Sequence, residues 1–232
     1  MNTITIAVIC IIIFLAFIYQ FGKRFILNSL VKAINKKDYD LVIKITDMDI
    51  TKRLVGQFTR DLYRIRAFYL KKDIENFDSL LDEMIHREYK NQNEKNNFLE
   101  HYYHTFLLKG NQKYSQIFLQ AIEDTKDEKF IIYNKQAYEV IFNKRSDLID
   151  AMDKQMETKA FYGFPLGVTV YMIAIQYLYL NNYEMALIYF KNAIICFHPK
   201  AVYVPYVKEY IKKMEEIIQE EKHKIDESIK TY

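Results

Sequence analysis

Residues 179–199 read YLNNYEMALIYFKNAIICFHP, and two small residues, Ala186 and Ala193, stand there around the aromatic Phe190. Steps of four and three place all three on one helical face. Such a face is thin at its alanines, where a partner helix comes close. It is thick at Phe190, which fills the space between neighbours. Just upstream, residues 170–180 (VYMIAIQYLYL) form another apolar-periodic run. The polar Asn181–Asn182 pair between the two runs is a turn signal. The stretch therefore predicts helix, tight turn, helix.

The same pattern recurs along the chain. KKDYDLVIKI (36–45), IENFDSLLDEM (74–84), NQKYSQIFLQAI (111–122) and KRSDLIDAMDKQM (144–156) each carry polar turn residues followed by a large apolar residue that opens an amphipathic run. Those residues are Tyr39, Phe77, Tyr114 and Leu148, with Tyr183 in the last unit, spaced 38, 37, 34 and 35 residues apart. Apolar runs precede them too: LVKAI, IRAFYL, FLEHYYHTFLL and YEVIF. One helix pair cannot bury its own apolar stripe, but stacked pairs can.

Composition agrees with this. With 50% hydrophobic and 27% charged residues, the chain reads as folded rather than disordered. Five Gly and three Pro in 232 residues favour long helices over a many-turned sandwich or barrel. A net charge of +3 is too weak to call for nucleic acid. The two cysteines, Cys10 and Cys196, show no disulfide or zinc spacing and fit a reducing compartment. Heavy use of Tyr, Ile, Lys and Asn with no Trp is the bias an AT-rich bacterial genome would leave.

The last unit resembles a tetratricopeptide repeat over residues 166–199. Ala174 and Tyr177 precede Tyr183 at the family's spacing, Ala186, Phe190 and Ala193 follow it, and Pro199 stands near the closing proline position. In the other units Leu, Val or Ile mostly replace the small residues, so the resemblance there is to the helical hairpin rather than to the full motif. It implies an all-α fold, a right-handed α–α superhelix of about five hairpins over residues 23–200. After Pro199, PYVKEYIKKMEEIIQEEKHKI sets Tyr206, Tyr210, Met214, Ile217, Ile218 and Ile225 against a Lys/Glu-rich face. Residues 201–232 are therefore expected to cap the open solenoid end and to run out as a tail, with Pro205 in the first turn of the helix.

The first 22 residues form a separate segment. Ile4–Phe21 (ITIAVICIIIFLAFIYQF) carries no charge, and about 18 residues rising ~1.5 Å each nearly match a bilayer's hydrocarbon thickness. Tyr19 suits the interface. A cleaved signal peptide would carry basic residues before its apolar run and a small-x-small site after it, and MNT and YQFGKR supply neither. Lys23, Arg24, Lys32, Lys36 and Lys37 all follow the span. Basic flanks stay cytoplasmic, so the large domain is expected to face the cytoplasm as a single-pass protein. Residues 160–180 are also free of charge, and a second span there is the alternative. Pro165, Gly163, Gly167 and Gln176 interrupt the run, and the GFPLG stretch reads as a bend between the fourth and fifth units.

Chemistry is sparse. Glu100, His101 and His104 lie within one turn, and His86 with Glu83 lies one unit away. A metal-dependent site around His101 and His104 is conceivable but has no third ligand at readable spacing. His198 reads as a helix-end residue. No phosphate-cradling loop, nucleophile elbow or HExxH occurs, and the pairs Asp82–Glu83, Asp127–Glu128 and Glu215–Glu216 read as solvated faces. The chain is therefore expected to be no enzyme and to need no cofactor or metal.

In the resembled family, the first helix of each unit lines a groove that holds peptides or helices. Carried over unit by unit, this implies Tyr69, then Tyr102, Tyr103 and Lys109, then Gln136 and Asn143, then Tyr171. The alternative for the tyrosines is packing between helices. The expected function is a membrane-anchored protein-interaction scaffold, with residues 4–21 in the bilayer and a protein or peptide as partner. The alternatives are a peptide- or small-ligand-sensing regulator and, behind it, the His101/His104 enzyme.

Overall fold

Asp and Asn residues, placed just where the apolar periodicity restarts, set six of the helix starts. The computed structural model describes residues 3–89 and 91–230, with side chains for 4–89 and 91–224. The elements are α1 (Thr3–Asn35), α2 (Tyr39–Asp47), α3 (Asp49–Val55), α4 (Gln57–Lys71), α5 (Ile74–His86) and α6 (Gln92–Leu108), then α7 (Gln112–Glu123), α8 (Glu128–Phe142), α9 (Ile149–Glu157), α10 (Phe164–Tyr179), α11 (Tyr183–Cys196) and α12 (Val204–Lys230). Among the described residues there is no strand, and the fold is all-α.

One turn chemistry joins α1 to α2, α4 to α5, α6 to α7 and α10 to α11. A left-handed residue comes first: Lys37, Lys72, Gly110 or Asn181, with φ of 59°, 63°, 67° and 56°. Asp38, Asp73, Asn111 or Asn182 follows, and its side chain accepts a hydrogen bond from the backbone N–H three residues on. The same residue's N–H reaches back to Ala33, Phe68, Phe106 or Tyr177 at 2.9–3.0 Å, closing the preceding helix. One Asx residue thus ends one helix with its backbone N–H and starts the next with its side chain.

The chain divides into two compact units, Met1–Glu88 and Tyr89–Tyr232. In the first, α1 runs unbroken for 33 residues through Gly22. It is long and apolar enough to cross a membrane, and its apolar window is unburied. Beyond that window Ile26, Leu30, Ala33 and Ile34 turn inward and pack with Val42, Val55 and Ala67. The short α3, which no periodicity announced, packs on α1 and α4. The Tyr19 hydroxyl donates to the Leu54 carbonyl at 3.1 Å. A Cβ on Gly22 would lie 3.1 Å from Leu54 Cδ1, so the glycine lets α3 approach. In α4 the carboxylate of Asp61 is completely buried, 2.7 Å from Arg60 and 2.7 Å from Arg87. Arg87 also holds Glu83 at 2.6 Å. Burial opposes the Arg87 charge, but bonds to Glu83 and Asp61 outweigh it and hold the pKa above the usual guanidinium value.

In the second unit α6 pairs with α7, α7 packs on α8, α8 on α10, α10 on α11 and α11 on α12. Ala186, Phe190 and Ala193 are all fully buried. Phe190 meets Tyr171 edge to face at 5.6 Å and stacks on Tyr210 at 4.9 Å, so the thick position does fill the space between neighbours. Tyr206, Tyr210 and Met214 turn toward the core as the periodicity predicts, while the Ile225 side chain lies outside the described residues.

The fourth unit departs from the expected hairpin. The nine-residue α9 packs on α10 rather than closing tightly against α8. It buries only Met152, and its N-cap Leu148 offers no capping side chain. Gln176 of α10 supplies the missing cap, accepting from Leu148 N at 2.8 Å while its amide donates to Met152 Sδ at 3.3 Å and to the Met172 carbonyl at 3.3 Å. The residue that interrupts the apolar run is therefore a buried connector. No second long apolar helix forms around it: α10 has 16 residues, and Gly167–Gln176 are buried inside the unit. The bend sits at Gly163, with φ 63°, while Pro165 already belongs to the first turn of α10.

Gly167 has a packing reason. A Cβ there would stand 2.6 Å from the Phe197 ring. That ring is stacked on Tyr203 at 4.9 Å and lies 5.7 Å from Phe164, so it has nowhere to move. Gly167→Ala is expected to destabilise the second unit by about 1–3 kcal/mol, the usual range for overpacking, despite the better helix propensity of alanine. A thermal melt showing equal or higher stability would contradict this packing.

Candidate functional site

The helix α6 carries the chemistry-bearing residues of the second unit. Its Tyr103 is fully buried, and the hydroxyl donates to the Asn134 carbonyl of α8 at 2.6 Å. His104 is also fully buried, with Tyr203 2.7 Å from Nδ1. The Tyr203 hydroxyl and Nδ1 share this hydrogen bond, whose direction follows the ring tautomer. Neither Nε2 nor Asn134 Oδ1 has a partner in good hydrogen-bonding geometry. Burial drives the His104 pKa down to about 3, with the Asn134 amide opposing and His101 adding to the shift. The imidazole is thus a neutral core group. It is packed parallel to Tyr133 at 6.1 Å and edge to face with Phe164 at 5.1 Å.

This placement separates the two histidines that the sequence put one turn apart. His101 is exposed while His104 is enclosed and already bonded. Among the described residues no group of three or more His, Cys, Asp or Glu could hold a metal ion.

The implied groove residues fall into three classes. Tyr103 and Tyr171 are buried, 0% and 2% exposed, and are core residues rather than an accessible face. Tyr171 sits among Phe190, Tyr203 and Tyr210 at 5.6, 4.9 and 6.3 Å. Burial carries the hydroxyl pKa of both Tyr103 and Tyr171 well above the usual phenol value. Tyr69 and Tyr102 are half-buried packing residues, with Tyr69 5.4 Å from Phe77 and Tyr102 stacked on Phe118 at 5.8 Å. Gln136 is half-buried, and its Oε1 lacks a hydrogen-bond partner. Lys109 and Asn143 are exposed at the C-caps of α6 and α8. The Asn143 amide donates to Glu139 at 2.9 Å.

Two concavities of the second unit adjoin these residues. One, of about 430 Å³, opens between the ends of α6 and α8, the side of α10 and the first turns of α12. Leu107, Ile141, Ile175 and Leu178 form its apolar floor, and Tyr206, Glu209, Tyr210 and Lys213 stand on the α12 side. Tyr179 donates to the Val140 carbonyl at 3.0 Å, and Lys144 sits 5.1 Å over its ring. The protein's own C-terminal helix thus supplies one wall of the space that the resemblance would leave open for a partner.

The other concavity, of about 280 Å³, is lined by Glu100, Asp127, Lys129, Phe130, Tyr133, Ala160, Phe161, Tyr162 and Pro165. Tyr133 donates a hydrogen bond to Glu100 Oε1. Burial raises the Glu100 pKa from its ordinary value, and the hydrogen bond from Tyr133 opposes the rise. Tyr133 itself is shifted far upward, chiefly by burial. Sequence reasoning weighed Glu100 only as a metal ligand and never met Tyr133, Phe161 or Tyr203. The available signal was a lone carboxylate inside the long apolar run of α6. What it faces comes from α8 and from the segment after α9, which no local pattern links to it. Comparison of the chain with protein-family models, with curated proteins and with solved structures finds no match.

Proposed function

We propose that the chain is a membrane-tethered interaction module of tetratricopeptide-like character, with residues 4–21 in the bilayer and its helical hairpins on the cytoplasmic side. The supporting observation is the continuity of α1. Its exposed apolar part and its buried part, Ile26 to Ile34, belong to one helix, so the first hairpin is held directly at the exit of the span. Lys23 and Arg24 follow the apolar stretch, and the neighbouring α3 adds exposed Lys52 and Arg53. Basic side chains at that level suit anionic cytoplasmic headgroups. Tethering raises the effective concentration of any membrane-borne partner. The exposed Lys109 and Asn143, beside the 430 Å³ concavity, are the candidate contacts for a protein or peptide.

Arginine at the centre of a span costs about 2.5–3.5 kcal/mol per residue. Ile12→Arg with Ile13→Arg is therefore expected to move the full chain from the membrane fraction to the soluble fraction. The native chain should leave membranes only in detergent, and protease added outside intact spheroplasts should not cut residues 23–232. A native chain released by alkaline carbonate, or one digested from outside, would overturn the tether or its orientation. Partner capture is tested by photocrosslinking from position 109 in native membranes. Crosslinks that do not change when Asn143→Arg is added would remove this face from the reading.

A further inference from the structure

We propose that the cleft over Glu100 is a binding site for an alkylammonium group. It is independent of the tether and of any partner on the α12 side.

The first ground is an uncompensated carboxyl group. Tyr133 satisfies Oε1, and no Lys, Arg or His of the described chain forms an ion pair with Glu100. A largely desolvated acid of this kind is stabilised by a cation brought to it, whereas an apolar ligand would leave it unpaired. The cleft margin adds Asp127, whose side chain also caps α8, and a single cation, Lys129. Two carboxyl groups against one ammonium leave the site anionic, which disfavours phosphate or carboxylate ligands.

The second ground is the wall. Phe161 meets Tyr133 at 5.7 Å with the planes 68° apart, and Phe130 meets Tyr133 at 6.1 Å with the planes 60° apart. These three rings are largely buried, 8%, 2% and 8% exposed for Phe130, Tyr133 and Phe161, so they form the firm base of the cleft, and the ring open to an ammonium is that of Tyr162. Tyr162, 85% exposed at the mouth, adds another aromatic side chain that packs on nothing substantial in the free protein. At about 280 Å³ the space suits a small head group and lies just under the ~300–1,000 Å³ typical of drug-sized ligands.

The test uses the full chain in detergent micelles and two probes of equal shape, choline and its uncharged isostere 3,3-dimethyl-1-butanol, followed by calorimetry. Choline is expected to bind saturably and at least tenfold tighter than the alcohol. Glu100→Gln, which keeps an acceptor for the Tyr133 hydroxyl, should abolish that preference. Tyr162→Ala, at an exposed position that does not threaten folding, should weaken choline about threefold or more. Comparison with N-acetyl-trimethyllysine amide identifies the source: tighter binding of the lysine form marks a protein side chain, and equal or weaker binding marks a free amine. Equal affinity for choline and the alcohol, no saturable choline binding, or full binding by the Tyr162→Ala chain would overturn the proposal.

Discussion

Asp61→Ala is expected to destabilise the first unit by about 3 kcal/mol, an increase on the order of 100-fold in the opening of α4 and α5. The carboxylate is completely buried, and its two oxygens each lie 2.7 Å from a guanidinium. Arg60 and Arg87 are 17% and 18% exposed, so water takes over only part of the lost interaction. Arg87 keeps Glu83, which limits the damage on its side. Amide hydrogen exchange on the full chain reads the effect directly. Asp61→Leu combined with Arg60→Met and Arg87→Met should recover a substantial share of the loss, because replacing all members of a buried ionic cluster with apolar groups is far cheaper than orphaning one of them. An Asp61→Ala chain with unchanged exchange in α4 would show that the pair is dispensable.

Tyr203→Ala is expected to cost the second unit about 3–5 kcal/mol, the range for emptying a large aromatic site. Tyr203 is fully buried and lies within 4.9–5.8 Å of the rings of Phe164, Tyr171, His104 and Phe197. Tyr203→Phe keeps that packing and strips only the hydroxyl from His104 Nδ1, so about 1–2 kcal/mol is expected. The same hub carries a pH dependence. The His104 pKa falls from 6.5 to about 3 on folding, so below 6.5 the unfolded chain binds the extra proton. Stability from this group is therefore complete above pH 6.5 and declines as pH falls toward 3. The slope approaches about 1.4 kcal/mol per pH unit. His104→Phe should flatten it. A chemical-denaturation series from pH 7 to 4 in which the native and His104→Phe chains run parallel would contradict a neutral, enclosed imidazole.

The hairpins were legible because their signals are local. Asp38, Asp73, Asn111 and Asn182 stand where the periodic runs restart, and each caps a helix. The alanine–phenylalanine face of α11 was legible for the same reason. What escaped depends on distance along the chain. The short α3 has too few residues for a period. Gln176 looked like a flaw in an apolar run because its bond to Leu148 spans 28 residues. Tyr103 and Tyr171 were placed on an accessible face by analogy, yet α6 and α10 are enclosed on more than one side, and tyrosine reads alike on a surface and in a core. The buried Asp61 was detectable in principle. With Ile65 and Phe68 it occupies the apolar stripe of α4, and a carboxylate at such a position demands a partner, although nothing local says that the partner is Arg87.

The unbroken α1 has a mechanical consequence. Its portion after Gly22 is 13 residues long, about 20 Å at ~1.5 Å per residue. No hinge separates it from the apolar part, and Tyr19 braces the junction against Leu54. In the tether proposed above, a change of about 20° in the inclination of the apolar part, well within the range seen for single spans, would swing the far end of this lever arm by about 7 Å. Under that proposal, bilayer thickness would steer the position of the first hairpin without any ligand.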